Sequence, residues 1–212
     1  PRHGHLGDFV ELMNHAHALG IRVIVDLVVN HTSIEHPWFR AARQDPSGRH
    51  GQYYVWADER PTDHDSGIVF PGGQTKNWTW DHEAKRYFFH RFYEFQPDLN
   101  TLNPYVRDEI KQIMGFWLQL GVSGFRMDAV PFMIEHKGAG VKHAQDLGGL
   151  REMREFLQWR ARDAVMLAEA NVIPEESMKY FGEQGSGIQM MLNFWVNQHL
   201  FYALATSDAA AL

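Results

Sequence analysis

Arg126 and Asp128 stand two residues apart in GVSGFRMDAVP, residues 121 to 131, a stretch in which Val122, Phe125, Met127, Ala129 and Val130 read as a buried strand. Successive side chains of a strand point to opposite faces, so both charges face the same way. A purely structural ion pair sits more cheaply on a surface, because a buried ion costs several kcal/mol unless it is paired. A second buried acid, Glu169, lies in AVMLAEAN, residues 164 to 171. Two carboxylates about 5 Å apart across one cavity are the equipment of a retaining glycosidase, one attacking the sugar and one protonating the leaving oxygen. Arg126 beside Asp128 lowers that acid's pKa and keeps it ionised, whereas Leu167, Ala168 and Ala170 around Glu169 favour its protonated form. Acids at strand ends serve many reactions, so the pair alone leaves other chemistries open.

The elements that must position these acids follow from periodicity. Phe9, Leu12, Met13, Ala16 and Leu19 predict a helix over 8–19, stopped by Gly20. IRVIVDLVV, residues 21 to 29, is nearly continuous and β-branched, which predicts a parallel strand covered on both faces. Asn103 and Pro104 open a second helix that runs through Ile110, Ile113, Met114, Trp117 and Leu118 to Gly121, and GFRMDAV forms the next strand. Leu150, Met153, Phe156, Leu157 and Trp159 mark a third helix before the strand at 164–171, and a further strand is expected around Gln189 to Phe194.

Helices alternating with parallel strands mean an α/β fold, either an open doubly wound sheet or a closed barrel. In both, functional residues collect at the C-terminal ends of strands. Asn30 and His31 close the first strand, Asp128 lies near the end of the second and Glu169 near the end of the third. No glycine-rich phosphate loop follows any strand, which favours the barrel over a dinucleotide-binding sheet.

Between His31 and Asn103 the alternation stops for about seventy residues, far more than a connecting loop requires. The chain is therefore divided into barrel over 1–31, an inserted small domain over 32–102 and barrel again over 103–212. The insertion is rich in rings, among them Trp38, Trp56, Trp78, Trp80, Tyr87, Phe88, Phe89, Phe92 and Tyr93. Most such rings form the core of a small, largely β excursion, and a few are candidates to line a sugar-sized pocket.

Bulk properties exclude several classes. The 212 residues are 44% hydrophobic, enough for a core, and carry a formal net charge of -6 with no basic stripe to follow a phosphate backbone. No nucleic-acid partner is expected. Without cysteine there is no disulfide framework and no thiolate metal site. No apolar run reaches the roughly 20 residues of a membrane span, so no membrane partner is expected either, and a cytoplasmic location is the default.

Taken together, DLVVNH (26–31), QPDLN (96–100), GFRMDAVP (124–131) and LAEAN (167–171) resemble consecutive signature regions of the α-amylase family, glycoside hydrolase family 13. The resemblance implies part of a (β/α)8 barrel, about strands 3 to 6, with the small domain inserted after strand 3. It implies that Asp128 is the catalytic nucleophile and Glu169 the general acid/base, with Arg126 and His31 binding substrate. HTSIEHPWF, HRFYEFQPDLN and GFRMDAVPF resemble the trehalose-synthase group, which interconverts maltose and trehalose, while QPDLN is shared with oligo-1,6-glucosidases and related α-glucosidases. The implied partner is a small α-glucoside, with a homo-oligomer as a further expectation. A catalytically silent amylase-like binding subunit, the remaining reading, is disfavoured by the presence of Asp128, Glu169, Arg126 and His31 together.

The resemblance also implies a structural calcium site built from Asn30, Asp98 and Glu135 with the main-chain carbonyls of Phe132 and Met133; oxygen-only ligation suits that ion. The family's third acid and first barrel strand find no counterpart, so the sequence is expected to be the middle of a longer enzyme and inactive alone. Among thirteen histidines, His3 and His5 form an HxH pair like that of metal-dependent amidohydrolases, but no apolar strand precedes it. His15 and His17 cannot share a helix face, and His64 lies within the insertion.

Overall fold

The computed structural model describes residues 4–141 and 144–211. The chain forms two compact units, one of Pro1–Leu27, Ile113–Val130 and Leu150–Leu212, the other of Val28–Gln112 and Pro131–Gly149.

The first unit is built on a parallel sheet in the order β1-β5-β6-β7, with β1 Val25–Leu27, β5 Gly124–Met127, β6 Val165–Ala168 and β7 Met190–Met191. Helices alternate with its strands: α1 (Leu6–Ala18) precedes β1, α3 (Pro104–Gln119) precedes β5, and α5 (Leu147–Arg160) precedes β6. This is the α/β order of a partial (β/α)8 barrel. The His5 amide donates to Asp8 Oδ2 at 2.6 Å at the start of α1, which buries Met13 and Ala16. Phe125, Met127, Met166 and Ala168 are fully buried. They alternate along their strands with Arg126 and Leu167, so one face of the sheet is apolar and the other carries the charge.

Gly124 shows why this sheet can be so close. Its φ is +148°, and a Cβ placed on it would lie 2.2 Å from the Val165 carbonyl oxygen. Only a residue without a side chain lets β5 approach β6 there.

The first strand differs from expectation. Pairing covers only Val25–Leu27 of the nine apolar-rich positions, and Ile21, Ile24 and Val28 are exposed. β1 is an edge strand of this sheet, hydrogen-bonded to β5 on one side only, so the β-branched flanks have no second ladder to extend them. Likewise β7 is two residues long, and Phe194 begins α7 (Phe194–Thr206) instead of ending a strand.

The second unit holds an antiparallel sheet in the order β2-β4-β3, formed by Trp56–Ala57, Trp78–Asp81 and Arg86–Phe89. Its strands are shorter than the expected β excursion, and a helix, α2 (Pro37–Gln44), packs with them. Trp78, Phe88, Phe89 and Phe92 are buried core rings, whereas Trp38, Trp56, Tyr87 and Tyr93 are half-buried and Trp80 is exposed. Phe39, fully buried, stacks on Trp56 at 5.8 Å between centroids and meets Tyr54 and Phe88 edge-on, while Trp78 packs on Phe89 with Val55. Edge-to-face contacts of this kind add about 0.5–1.5 kcal/mol each to area burial. The short α4 (Val130–Met133) follows β5, and α6 (Pro174–Phe181) follows β6. No described helix is long and apolar enough to cross a membrane.

Candidate active site

The charged face of the parallel sheet brings four side chains together. In the strand register Asp26 of β1 lies beside Arg126 of β5, which lies beside Leu167 of β6. Two residues further on, Asp128 and Glu169 follow β5 and β6 on that same face. The strand ends are pinned by the Asp128 amide donating to the Leu27 carbonyl at 3.3 Å, the Glu169 amide to the Met127 carbonyl at 2.9 Å and the Val130 amide to the Glu169 carbonyl at 3.0 Å.

Arg126 links three acids. Its Nη2 donates to Glu169 Oε2 at 2.5 Å, and its Nη1 donates to Asp26 Oδ1 at 2.6 Å and to Asp128 Oδ1 at 3.2 Å. The sequence places Arg126 with Asp128 alone; the structure gives Glu169 the closer contact. Asp26, within DLVVNH, joins the site although the sequence motifs do not single it out. The signal was available in an isolated acid within an apolar strand, the same signature that singled out Asp128.

The Glu169 carboxyl is held above the usual glutamate range. Burial is the main cause, a hydrogen bond to Asp128 adds to it, and the Arg126 charge and the Ala129 amide oppose it. The two carboxyls are joined through Arg126, which donates to Glu169 Oε2 and to Asp128 Oδ1. Between them Ala129 adopts φ +49°, a left-handed conformation costing on the order of 1–2 kcal/mol outside glycine. Two acids bridged by one arginine, with Glu169 inclined to hold its proton, suit displacement at a sugar carbon with proton transfer to the departing oxygen.

His31 and the expected calcium donors lie in the second unit. His31 Nε2 pairs with Gln96 Nε2 at 2.9 Å, and its ring meets Phe92 edge-on at 5.4 Å. Asn30 and Asp98 are brought together, Asn30 Nδ2 donating to Asp98 Oδ2 at 3.1 Å. Lys137, a residue the sequence reading passed over, reaches the same oxygens. Its Nζ lies 2.8 Å from Asp98 Oδ2, 2.8 Å from Asn30 Oδ1 and 3.1 Å from the Leu99 carbonyl. Glu135 is engaged by Arg91, whose Nη2 lies 2.7 Å from both carboxylate oxygens. The Met133 carbonyl accepts from the Thr101 hydroxyl at 2.5 Å and the Phe132 carbonyl from the Glu135 amide at 3.3 Å. As arranged, these donors do not fit a calcium ion, because a lysine ammonium already stands where the cation's charge would go.

The His3–His5 alternative lies partly outside the described residues. His5 caps α1, and His64 pairs with Arg60 at 2.5 Å. Among the described residues no group of three or more histidines or acids could hold a metal.

Comparison with known proteins decides the family. Residues 1–210 match the model of the alpha amylase catalytic domain. The chain belongs to the α-amylase family. It is 39% identical over 213 residues to the trehalose synthase of Pimelobacter sp. (strain R48), with 96% of this chain and 37% of that protein covered. It is 41% identical over 210 residues to the trehalose synthase of Thermus thermophilus, with 98% and 21% covered. The crystal structure of Bacillus licheniformis trehalose-6-phosphate hydrolase superposes with a TM-score of 0.80 at 29% identity, covering 94% of this chain and 37% of that one. This α-amylase chain thus spans between about a fifth and two fifths of the length of these relatives.

Proposed function

We propose that this α-amylase segment carries the catalytic pair of a retaining enzyme that interconverts maltose and trehalose, with Asp128 as nucleophile and Glu169 as general acid/base. The observation that carries the reading is the meeting of Asp128, Glu169 and Arg126 on one face of the parallel sheet. The similarity to two trehalose synthases supports maltose and trehalose as the substrate class.

In the first half-reaction a carboxylate oxygen of Asp128 attacks the anomeric carbon, the glycosidic C–O bond breaks and the leaving oxygen takes the Glu169 proton. In the second, Glu169, now a carboxylate, takes the proton of an incoming hydroxyl, that oxygen bonds to the anomeric carbon and Asp128 is released. When the acceptor is the anomeric hydroxyl of the retained glucose, the product is trehalose. When it is water, the product is glucose, and exclusion of water decides between the two. Burial raises the Glu169 pKa, which serves the first step by keeping the donor proton on.

A hydrolytic reading, an α-glucosidase of the oligo-1,6-glucosidase type, shares every step but the acceptor; the likeness to a trehalose-6-phosphate hydrolase supports it. Supplying maltose to the protein that carries this segment and separating the sugars distinguishes the two. Trehalose as the main product supports the synthase, and glucose alone overturns it.

A further inference from the structure

We infer that Lys137 is the built-in cation of the buried Asn30–Asp98 centre, and that this centre is assembled without calcium. Three observations within the second unit carry the inference.

The first is saturation. A lysine ammonium has three N–H donors, and Lys137 has three acceptors within 3.1 Å: Asp98 Oδ2, Asn30 Oδ1 and the Leu99 carbonyl. The Asn30 side chain is oriented to match, its oxygen toward Lys137 and its nitrogen toward Asp98. Asp98 Oδ1 meanwhile accepts from the Arg91 amide at 2.8 Å.

The second is burial. The side chains of Lys137 and Asp98 are 1% and 0% exposed, and those of Arg91 and Glu135 are 4% and 7%. Residues with these charges are almost never so enclosed unless paired. Here each carboxylate has its own cation.

The third is charge. Lys137 with Asp98 and Arg91 with Glu135 sum to zero. A calcium ion added to that cluster would leave two uncompensated positive charges in the interior, and one such charge already costs several kcal/mol. Coordination would need Lys137 to leave, carrying its ammonium away from all three acceptors.

The experiment uses the protein carrying this segment, reductively methylated with isotopic formaldehyde in excess calcium or in chelator, the extent at each lysine being read by peptide mass spectrometry. Exposed Lys85 serves as the internal reference. Lys137 is expected to stay unmodified in both buffers while Lys85 reacts fully. Modification of Lys137 in calcium but not in chelator would overturn the inference, since it would mean that calcium expels the lysine. A second measurement compares the shift of the melting temperature caused by calcium in the unaltered protein and in Lys137→Ala. A calcium shift confined to the variant is expected, because removal of the ammonium leaves oxygens around an open centre. An equal shift in both proteins, coming with methylation of Lys137, contradicts it. If the variant does not fold, the methylation result on the unaltered protein decides alone.

Discussion

The Arg126 guanidinium lies closer to Glu169, at 2.5 Å, than to Asp128, at 3.2 Å. One cation therefore serves both members of the proposed catalytic pair, and Asp26 at 2.6 Å steadies it from the neighbouring strand. Its charge holds Glu169 lower than burial and Asp128 would otherwise set it.

Replacing Arg126 by Met removes the charge that opposes the rise in Glu169's pKa. The alkaline limb of the pH–activity profile is expected to move upward, because Glu169 then keeps its proton to higher pH. Turnover should fall by about 10²–10³, the loss typical of removing one positioned charge at a reacting centre. An unmoved alkaline limb would contradict the contact.

Asp26→Asn tests the positioning of Arg126. Asp26 is more than half exposed, and exposed ion pairs contribute only about 0–1 kcal/mol, so the melting temperature should barely change. Turnover is expected to drop several-fold with KM little altered. A variant whose stability collapses while its remaining folded fraction turns over normally would give Asp26 a structural role.

Glu169 also predicts a stability signature. Its pKa is raised on folding, so its protonated form favours the native state. That contribution is complete below the ordinary glutamate value and is lost as pH rises through the raised one. Unfolding measured across the weakly acidic range should show a stability slope that Glu169→Gln flattens; an unchanged slope would contradict the shift.

The charged face was legible in the sequence because a strand's two-residue period fixes which side chains share a face, and Asp128 and Glu169 stood out against Phe125, Met127, Met166 and Ala168. Three helix-then-strand repeats were legible for the same reason. The extent of β1 was not, since apolar composition does not tell a central strand from an edge strand with one partner. Asp26 carried the same signal, an acid within an apolar strand, but lies before the strand end where functional residues are expected. Lys137 was hidden more deeply, because its acceptors come from 30, 98 and 99, segments that only folding joins. Its sequence neighbours gave no sign of a buried charge.

Gly124→Ala tests the close approach of β5 and β6. A methyl group 2.2 Å from a backbone oxygen forces the strands apart, and a loss of roughly 2–4 kcal/mol of stability is expected. Thermal unfolding measures it, and a change under about 0.5 kcal/mol, the size of an ordinary surface substitution, would mean that the strands are not so close.

The most direct test of the central claim is to trap the glycosyl-enzyme. The protein carrying this segment is incubated with a fluorinated α-glucosyl fluoride, quenched and digested, and the labelled peptide is sequenced by mass spectrometry. A single ester-linked sugar on Asp128, absent in Asp128→Asn, is the predicted result; a label on another residue, or undiminished maltose turnover by Asp128→Asn, would contradict the account.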